Sequence, residues 1–212
     1  GPNVNFDLET SHVLPALIRK IHLGKCLEQG DWESLRADLT ARPIKGVNGS
    51  ASAEAIVHVL AENGIAPPST SAHRPLTSDV RPLTSDHRPL TTVKIWGTGT
   101  PRREFLHVDD MAEACVHLMN LGDAEFDAQF VQYPRPCFVN IGTGLDCTIK
   151  KLAETVQDIV GYQGQIRFDP DKPDGMPQKL LDVTELERLG WKASLSLEEG
   201  LGSTYNWYRK NE

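Results

Sequence analysis

Apolar residues recur with helical spacing in three segments near the start of the chain. In SHVLPALIRKIHLGKCL the i, i+3, i+4, i+7 positions are Leu14, Leu17, Ile18 and Ile21. Ser11 is a candidate N-cap of this helix, and Pro15 fits its first turn. The segments DWESLRADL and SASAEAIVHVLAENG predict two shorter helices, with Asp31 capping the first and Gly64 ending the second.

The pattern then changes to a repeat of seven residues. RPLTSDVRPLTSDHRPLTT places a proline in every repeat and an arginine at each equivalent position, Arg74, Arg81 and Arg88. Because the prolines block a helix and the polar residues cannot build a core, residues 66–92 are predicted to be an extended or disordered linker. A charge-lined binding repeat is the alternative.

Strand-like and helix-like segments alternate in the remainder of the chain. TVKIWG, CFVNIGTG and QIRFDP predict strands, of which CFVNIGTG should be buried. Helices are expected at TIKKLAETVQDIVG, LDVTELERLGW and SLEEGLGSTYNWYRKN, the last with a capping box of Ser196 and Glu199. This alternation predicts an α/β fold.

The helix predicted at HVDDMAEACVHLMNL is amphipathic. Its core-facing residues should be Met111, Ala114, Cys115, Leu118 and Met119. Asp109 is expected to cap it, so Asp109 and His107 are interpreted as structural.

Composition narrows the classes of function. The chain has 212 residues, 39% of them hydrophobic, and a net charge of −7, which argues against a general nucleic-acid binder. No apolar run reaches the ~18 residues that a membrane span needs. The four cysteines form no C-x-x-C pair and are expected to be buried free thiols in a reducing cytoplasm. The histidines show no metal-ligand spacing, so no metal site is expected.

The stretch WGTGTPRREFLHVDD concentrates the candidate binding chemistry. Trp96 offers a planar face, and an arginine at 102 or 103 can bind phosphate with two parallel hydrogen bonds. Adjacent strand residues point to opposite faces, so only one arginine can meet a ligand, while the other meets solvent or a carboxylate such as Glu104. A simple glycine-rich turn is the alternative.

Five segments together resemble one known family. SHVLPALIRK, WGTGTPRREFLHVDDMAEA, NIGTGLDCTIKKLA, KPDGMPQKLLDV and SLEEGLGSTYNWY look like the C-terminal half of the GDP-L-fucose synthases, in the extended short-chain dehydrogenase/reductase superfamily. The resemblance covers residues 1–23 and 93–212. It implies the C-terminal part of a Rossmann-type fold, mostly the substrate-binding domain, with residues 24–65 as a helical insertion.

The resemblance also implies an activity. The family converts GDP-4-keto-6-deoxy-D-mannose to GDP-L-fucose by NADP-dependent 3,5-epimerisation and 4-keto reduction, and a cytoplasmic homodimer is expected. His12 corresponds to its proton donor beside the nicotinamide. The expected GDP-sugar contacts are Lys20, Trp96, Arg103 and Asp174, with Lys179 as a weaker phosphate candidate.

Each of these residues also has a simpler interpretation. His12 could have no role other than to cap a helix, and Trp96 could pack at a strand end. Lys20 could be an ordinary surface lysine, confused with Arg19 or Lys25. Asp174 in the P-D-G sequence could only make a turn.

The hydride-transfer motifs of the family are absent from this sequence. No G-x-x-G-x-x-G occurs, the G-T-G segments at 97–99 and 142–144 lack the third glycine, and Tyr205 is followed at the fourth position by Arg209 rather than lysine. The chain is therefore expected to require an N-terminal Rossmann half as its partner. A catalytically inactive nucleotide-sugar-binding remnant, or another NAD-dependent sugar-nucleotide epimerase or dehydratase, are the alternatives.

Overall fold

The computed structural model describes residues 1–67, 90–131 and 137–211, and these form two compact units. The helical unit comprises Asn5–Trp96 and Val156–Asp171. The C-terminal unit comprises Gly1–Val4, Gly97–Thr155 and Lys172–Asn211. Both units combine helices and strands, which confirms the predicted α/β class.

The helical unit contains three helices and a small mixed sheet. The helices are α1 (Val13–Gln29), α2 (Trp32–Ala41) and α3 (Ala53–Glu62), and the strands are β1 (Ile65–Ala66), β2 (Thr92–Trp96) and β5 (Gln165–Asp169). Strand β2 lies in the middle, antiparallel to β1 and parallel to β5. All three helices were predicted, and the caps on α2 and α3 are Asp31 and Ser52, each accepting a backbone N–H.

The C-terminal unit contains a second three-stranded sheet of very short strands. Its order is β4 (Asp146–Thr148), β3 (Arg102–Glu104), β6 (Gln178–Lys179), with β3 antiparallel to β4 and parallel to β6. The helices here are α4 (Val108–Met119), α5 (Asp123–Phe126), α7 (Thr184–Arg188) and α8 (Leu197–Lys210), and α6 (Ile149–Val160) begins in this unit. A π-helical turn follows α5 at Asp127–Val131. The predicted capping box of Ser196 and Glu199 opens α8.

One hydrophobic cluster draws on α1, α2, α3 and β1. It contains Leu23, Cys26, Leu35, Leu39, Ile44, Ile56, Val59, Leu60 and Ile65. Residues on both sides of the predicted boundary at residue 24 therefore share one core. The predicted division of the chain into a helical insertion and a remainder that resembles the family rests on related sequences. It stays a prediction.

A buried ion pair crosses this core. Arg19 and Asp38 are both fully buried, and Arg19 Nε donates to Asp38 Oδ2 over 2.9 Å. The same guanidinium donates to the backbone carbonyls of Phe6 and Arg42, while Arg42 Nη1 lies 3.1 Å from the second oxygen of Asp38. Arg19 therefore joins the N-terminal segment, α1 and α2, a role that the helical pattern did not show.

The predicted linker is described only at its ends. Ala66 pairs with Thr92 across the antiparallel β1–β2 ladder, so both boundary residues of the predicted linker 66–92 belong to strands. Backbone hydrogen bonds between the strands hold these two residues in place. The amino-acid composition of the segment does not indicate such bonds. Residues 68–89, which carry the repeat, lie outside the described residues.

Two predictions in the C-terminal unit were wrong. Residues 137–141 of CFVNI form no strand, and Phe138 is 63% exposed, because the described residues provide no strand to pair with this segment. On α4, Met111, Cys115 and Met119 are exposed rather than core-facing, and Ala114 is the predicted core residue that is fully buried.

The cysteine prediction needs a similar correction. All four thiols are free, but only Cys26 is buried, whereas Cys115 and Cys137 are exposed and Cys147 is half-buried. An apolar neighbourhood in the sequence did not indicate burial at these three positions, since the segments that carry them lack a covering layer in the described part of the chain.

Asp110 anchors α4 within the C-terminal unit. Its carboxylate is buried and accepts hydrogen bonds from the Ser194 hydroxyl (2.8 Å) and from the backbone N–H groups of Ser194 and Leu195. Burial would raise the pKa of Asp110, but these hydrogen bonds outweigh burial and hold the pKa below its ordinary value. The ionised carboxylate therefore stabilises the folded unit.

The Arg19–Asp38 pair predicts a large effect on stability. Arg19→Met is expected to lower the free energy of unfolding by about 3–5 kcal/mol, because the buried carboxylate of Asp38 would lose its buried ionic partner. The double variant Arg19→Met/Asp38→Leu should recover most of that loss. Lys45→Ala, which removes an exposed pair with Glu62, is the control and should cost less than about 1 kcal/mol. Equal effects of the two single variants in urea unfolding would contradict the role of Arg19.

Asp110 predicts a dependence of stability on pH. Asp110→Asn is expected to lower the free energy of unfolding at pH 7 by about 1–3 kcal/mol, because it weakens three hydrogen bonds to a buried acceptor. Since the folded pKa is lowered, the wild-type advantage exists above the ordinary aspartate pKa of about 4 and is lost as the pH falls further. Urea unfolding from pH 7 to pH 3 measures this. A gap that is constant with pH, or one equal to that of Asp109→Asn, would argue against it.

Candidate functional site

The five predicted site residues fall into two groups. His12, Lys20 and Trp96 belong to the helical unit, whereas Arg103 and Asp174 belong to the C-terminal unit. The surroundings of each group can be described within its own unit.

His12 stands at the start of α1 with its side chain exposed. It is the N-cap residue, with extended backbone (φ −69°, ψ 166°), but its imidazole makes no capping hydrogen bond. The interpretation of His12 as a helix-capping side chain is therefore wrong. Ser11, the predicted cap, does not cap either, and its buried hydroxyl has no hydrogen-bond partner among the described residues.

Lys20 lies two helical turns after His12, a rise of about 12 Å along α1. Its ammonium nitrogen is 3.5 Å from the backbone carbonyl oxygen of Lys94 on β2, and burial lowers the pKa of Lys20. The two cations with which it could be confused have other contacts. Arg19 is paired with Asp38, and Lys25 donates to the carbonyl of Val160 over 2.8 Å. Lys20 is therefore the half-buried cation that meets β2 close to Trp96.

Trp96 ends β2 with its indole 68% exposed, so the alternative that it packs at the strand end is wrong. Residues of β2 alternate, with Val93 and Ile95 facing the core and Lys94 and Trp96 facing outward. Lys94 pairs with Asp169 at 2.7 Å, across the parallel β2–β5 ladder. The outward alternation of β2 would have revealed Lys94 as a neighbour of Trp96. In open α/β sheets, ligands bind beyond the carboxyl ends of parallel strands, which is where Trp96 lies.

A tight turn follows Trp96 and is held by Asp174. Both oxygens of Asp174 accept from Thr98, one from its backbone N–H (2.9 Å) and one from its hydroxyl (2.6 Å). Gly97 has φ +81°, and a Cβ there would lie 2.2 Å from Asp174 Oδ1. Glycine is thus required at 97 by the approach of Asp174. Asp174 is exposed, and its predicted contact with a GDP-sugar would have to share these oxygens with Thr98.

Arg102 and Arg103 have different hydrogen-bond partners. Arg102 donates through Nε and Nη2 to Asp146 Oδ1 (2.8 and 2.6 Å), and this pairing raises the pKa of Arg102 and lowers the pKa of Asp146. The carboxylate that Arg102 meets is therefore Asp146 and not Glu104. Glu104 accepts instead from the backbone N–H groups of Thr143 (2.5 Å), Gly144 (2.8 Å) and Leu181 (2.9 Å).

Arg103 has a different set of partners. Its Nη1 donates to the backbone carbonyls of Arg102 (2.6 Å) and Met176 (2.7 Å). No carboxylate in the described part of the chain forms an ion pair with it, so its charge is balanced only by carbonyl dipoles. Lys179, the weaker phosphate candidate, is exposed on β6 in register with Arg103.

The prediction that Asp109 caps α4 was wrong, because His107 does so. His107 is the N-cap of α4, and its Nδ1 accepts from the backbone N–H of Asp109 over 3.3 Å. Asp109 lies in the first turn and is exposed, where a carboxylate is favourable but does not cap.

Neither metal ligands nor a membrane helix is found in the described ranges 1–67, 90–131 and 137–211. They contain no group of three or more His, Cys, Asp or Glu side chains able to hold a metal ion. No helix within them is long and apolar enough to cross a membrane.

The chain is similar in sequence to enzymes of GDP-sugar metabolism. The model of the NAD dependent epimerase/dehydratase family matches residues 52–131. GDP-L-fucose synthase of Escherichia coli (strain K12) is 54% identical over 120 residues, covering 57% of this chain and 37% of that protein. GDP-L-fucose synthase 1 of Arabidopsis thaliana is 37% identical over 211 residues, covering 100% of this chain and 43% of that protein.

A solved structure extends this similarity to the fold. MlghC, the GDP-mannoheptose C4 reductase from Campylobacter jejuni with NADP bound, matches with a TM-score of 0.71 and 31% identity. The match covers 98% of this chain and 49% of that one, so the chain spans about half the length of this structure and less of the curated relatives. The Rossmann-type α/β class predicted from the sequence is confirmed by these matches. They identify the chain as a relative of the GDP-L-fucose synthases within the NAD dependent epimerase/dehydratase family.

Proposed function

We propose that the chain is the GDP-sugar-binding part of an epimerase/reductase that converts GDP-4-keto-6-deoxy-D-mannose to GDP-L-fucose. The observation that carries the proposal is the contrast between Arg102, which Asp146 neutralises, and Arg103, which no carboxylate pairs with in the described part of the chain. A guanidinium without a carboxylate partner is suited to a diphosphate, which it can hold through two parallel hydrogen bonds.

Three other residues have proposed roles in binding. Trp96 is 68% exposed and would offer its indole to the planar or hydroxylated parts of the nucleotide-sugar. Lys20 is a half-buried cation, and an adjacent phosphate would favour its charged form and oppose the effect of burial on its pKa. Asp174 would accept from ribose hydroxyls or guanine N–H groups while it holds Thr98.

His12 is the proposed proton donor. Epimerisation next to a ketone removes a proton from one face of the carbon and returns one to the other face. Imidazole titrates near neutral pH and can serve such transfers. The exposed, uncapped side chain of His12 is available for this role. Its predicted position beside the nicotinamide stays a prediction.

The described residues do not fit the pyrophosphate of NADP. The reduced form of this cofactor, NADPH, would supply the hydride for the 4-keto reduction. Backbone N–H groups at glycine-rich turns hold phosphates in dinucleotide folds. In this chain the N–H groups of Thr143 and Gly144 donate to Glu104, and the N–H of Thr98 donates to Asp174. We therefore propose that NADP is held by the N-terminal Rossmann half of the complete protein.

Exposed apolar groups support such a covering partner. Met111, Val116 and Met119 on α4 and Phe138 after it are exposed, Met119 to 73%. Large exposed apolar side chains often belong to an interaction surface. The homodimer and the cytoplasmic location stay predictions.

One alternative substrate has an observation in its favour. The GDP-mannoheptose C4 reductase matches 98% of this chain, so the match includes most of the predicted insertion. A GDP-heptose would keep the diphosphate contact of Arg103 and differ only in the sugar. Comparing turnover of both 4-keto sugars by the complete protein separates the two substrates. A remnant that binds GDP-sugars without turnover is the third possibility.

The arginine contrast predicts unequal effects on GDP binding. Arg103→Ala should weaken GDP binding by about ten- to a hundred-fold, because it removes a charge-assisted contact worth ~1.5–3 kcal/mol. Arg102→Ala is the matched control and should change affinity by less than about threefold. Isothermal titration calorimetry of the 212-residue chain with GDP measures both, with melting temperatures as a check on folding. Equal losses, or no loss in either variant, would contradict the proposed role of Arg103.

A second prediction concerns turnover. The 212-residue chain alone should not oxidise NADPH in the presence of GDP-4-keto-6-deoxy-D-mannose, since its sequence has no Tyr-x-x-x-Lys pair and its described residues offer no pyrophosphate site. In the complete protein, His12→Ala should slow epimerisation while GDP affinity is kept. Protein-dependent NADPH oxidation by the pure chain, or a loss of GDP affinity equal to the loss of epimerisation, would refute these assignments.

A further inference from the structure

The C-terminal unit contains a cavity of about 560 Å³ that the proposed GDP-sugar contacts share only through Arg103. Its walls come from the end of β3, from β4, from α7 and from the segment that leads into α8. Ligand cavities in proteins commonly measure about 300–1,000 Å³, so this one can hold a small molecule.

Most of the cavity wall is apolar. Phe105, Leu145, Leu186 and Leu197 line it together with the indole of Trp191. Trp191 is only 4% exposed, and its Nε1–H has no acceptor among the described residues. Buried indole N–H groups ordinarily have a hydrogen-bond partner. An acceptor atom of a bound molecule would provide one.

The charged groups of the wall leave one positive charge without a carboxylate. Asp146 is neutralised by Arg102 at 2.6 Å, and Glu187 by Lys192 at 3.2 Å. Arg103 also lines the cavity, and in the described part of the chain it contacts only backbone carbonyls. A bound molecule would therefore be favoured if it carried one negative charge.

We propose that this cavity binds a small, mainly apolar carboxylic acid, with the Trp191 indole as hydrogen-bond donor and Arg103 as the opposite charge. The aromatic or aliphatic body of the acid packs against the leucines and Phe105. Because Arg103 is also the proposed diphosphate ligand, an acid in the cavity and GDP compete for one guanidinium. The proposal itself depends on the cavity alone.

Indole resonances of the ¹⁵N-labelled 212-residue chain test the site directly. The chain has four tryptophans, and Trp191→Phe assigns the resonance of Trp191. Benzoate is the probe and benzyl alcohol is its neutral control. Benzoate should shift the Trp191 resonance to saturation with a dissociation constant on the order of millimolar, as expected for so small a ligand, and leave Trp32 and Trp207 unshifted. Benzyl alcohol should bind at least about tenfold more weakly, since it has no charge for Arg103.

Three variants complete the test. Arg103→Ala should weaken benzoate binding by about tenfold or more, whereas the exposed Arg209→Ala should not change it. Ala193→Leu fills the cavity and should abolish binding. This variant keeps the test valid if Trp191→Phe does not fold.

Four outcomes would overturn the proposal: no shift of Trp191 with benzoate, equal binding of benzyl alcohol, unchanged binding in Ala193→Leu, or a shift of the Trp191 resonance by GDP. The last would place the cavity inside the GDP-sugar site. If the 212-residue chain binds benzoate but does not bind GDP, the result contradicts the proposed function and leaves the cavity proposal intact.

Discussion

The carboxylate of Glu104 holds the C-terminal unit together at its sheet. The three strands of this sheet are only two or three residues long, so their ladders contain few hydrogen bonds. Glu104, at the end of the central strand, accepts backbone N–H groups from Thr143 and Gly144, just before β4, and from Leu181, just after β6. One side chain on the middle strand thereby ties down both neighbouring strands. A charge-assisted hydrogen bond is about twice as strong as a neutral one, so these contacts matter more than the short ladders suggest.

The direction of the two arginines depends on this arrangement. With β3 fixed between β4 and β6, Arg102 reaches Asp146 on β4, and Arg103 reaches the carbonyl of Met176 just before β6. Net charge alone would not predict an anion site in a chain of charge −7. What matters is which cations lack a carboxylate. Lys94 is paired with Asp169, Arg102 with Asp146 and Lys192 with Glu187, whereas Arg103 donates to backbone carbonyls.

The sequence predicted elements well where local chemistry determines them. The helix caps at Asp31 and Ser196 depend on neighbouring residues, and sequence order records those. Contacts between distant residues were not predictable. Asp146 lies 44 residues from Arg102, and Asp38 lies 19 residues from Arg19, so no periodicity indicates either pair. The cap of α4 is His107 rather than the predicted Asp109, because both residue types can occupy the start of a helix.

The errors on α4 and at CFVNI have a common physical basis. The apolar spacing of Met111, Cys115 and Met119 indicates that one side of a helix can be buried. The strand-forming residues at 137–141 indicate that this segment can pair with a strand. Neither pattern indicates whether a partner is present. In the described residues the helix face is exposed and the segment lacks a neighbouring strand. Asp110 and Ala114 show that another face of α4 is satisfied, because they are fully buried and Asp110 is hydrogen-bonded. The chain spans about half of the solved reductase structure, and Met111, Val116 and Met119 on α4 are exposed among the described residues. The N–H groups of the glycine turns at 97–99 and 142–144 donate to carboxylates of their own chain, Asp174 and Glu104, and these bonds stabilise the turns and the strands beside them.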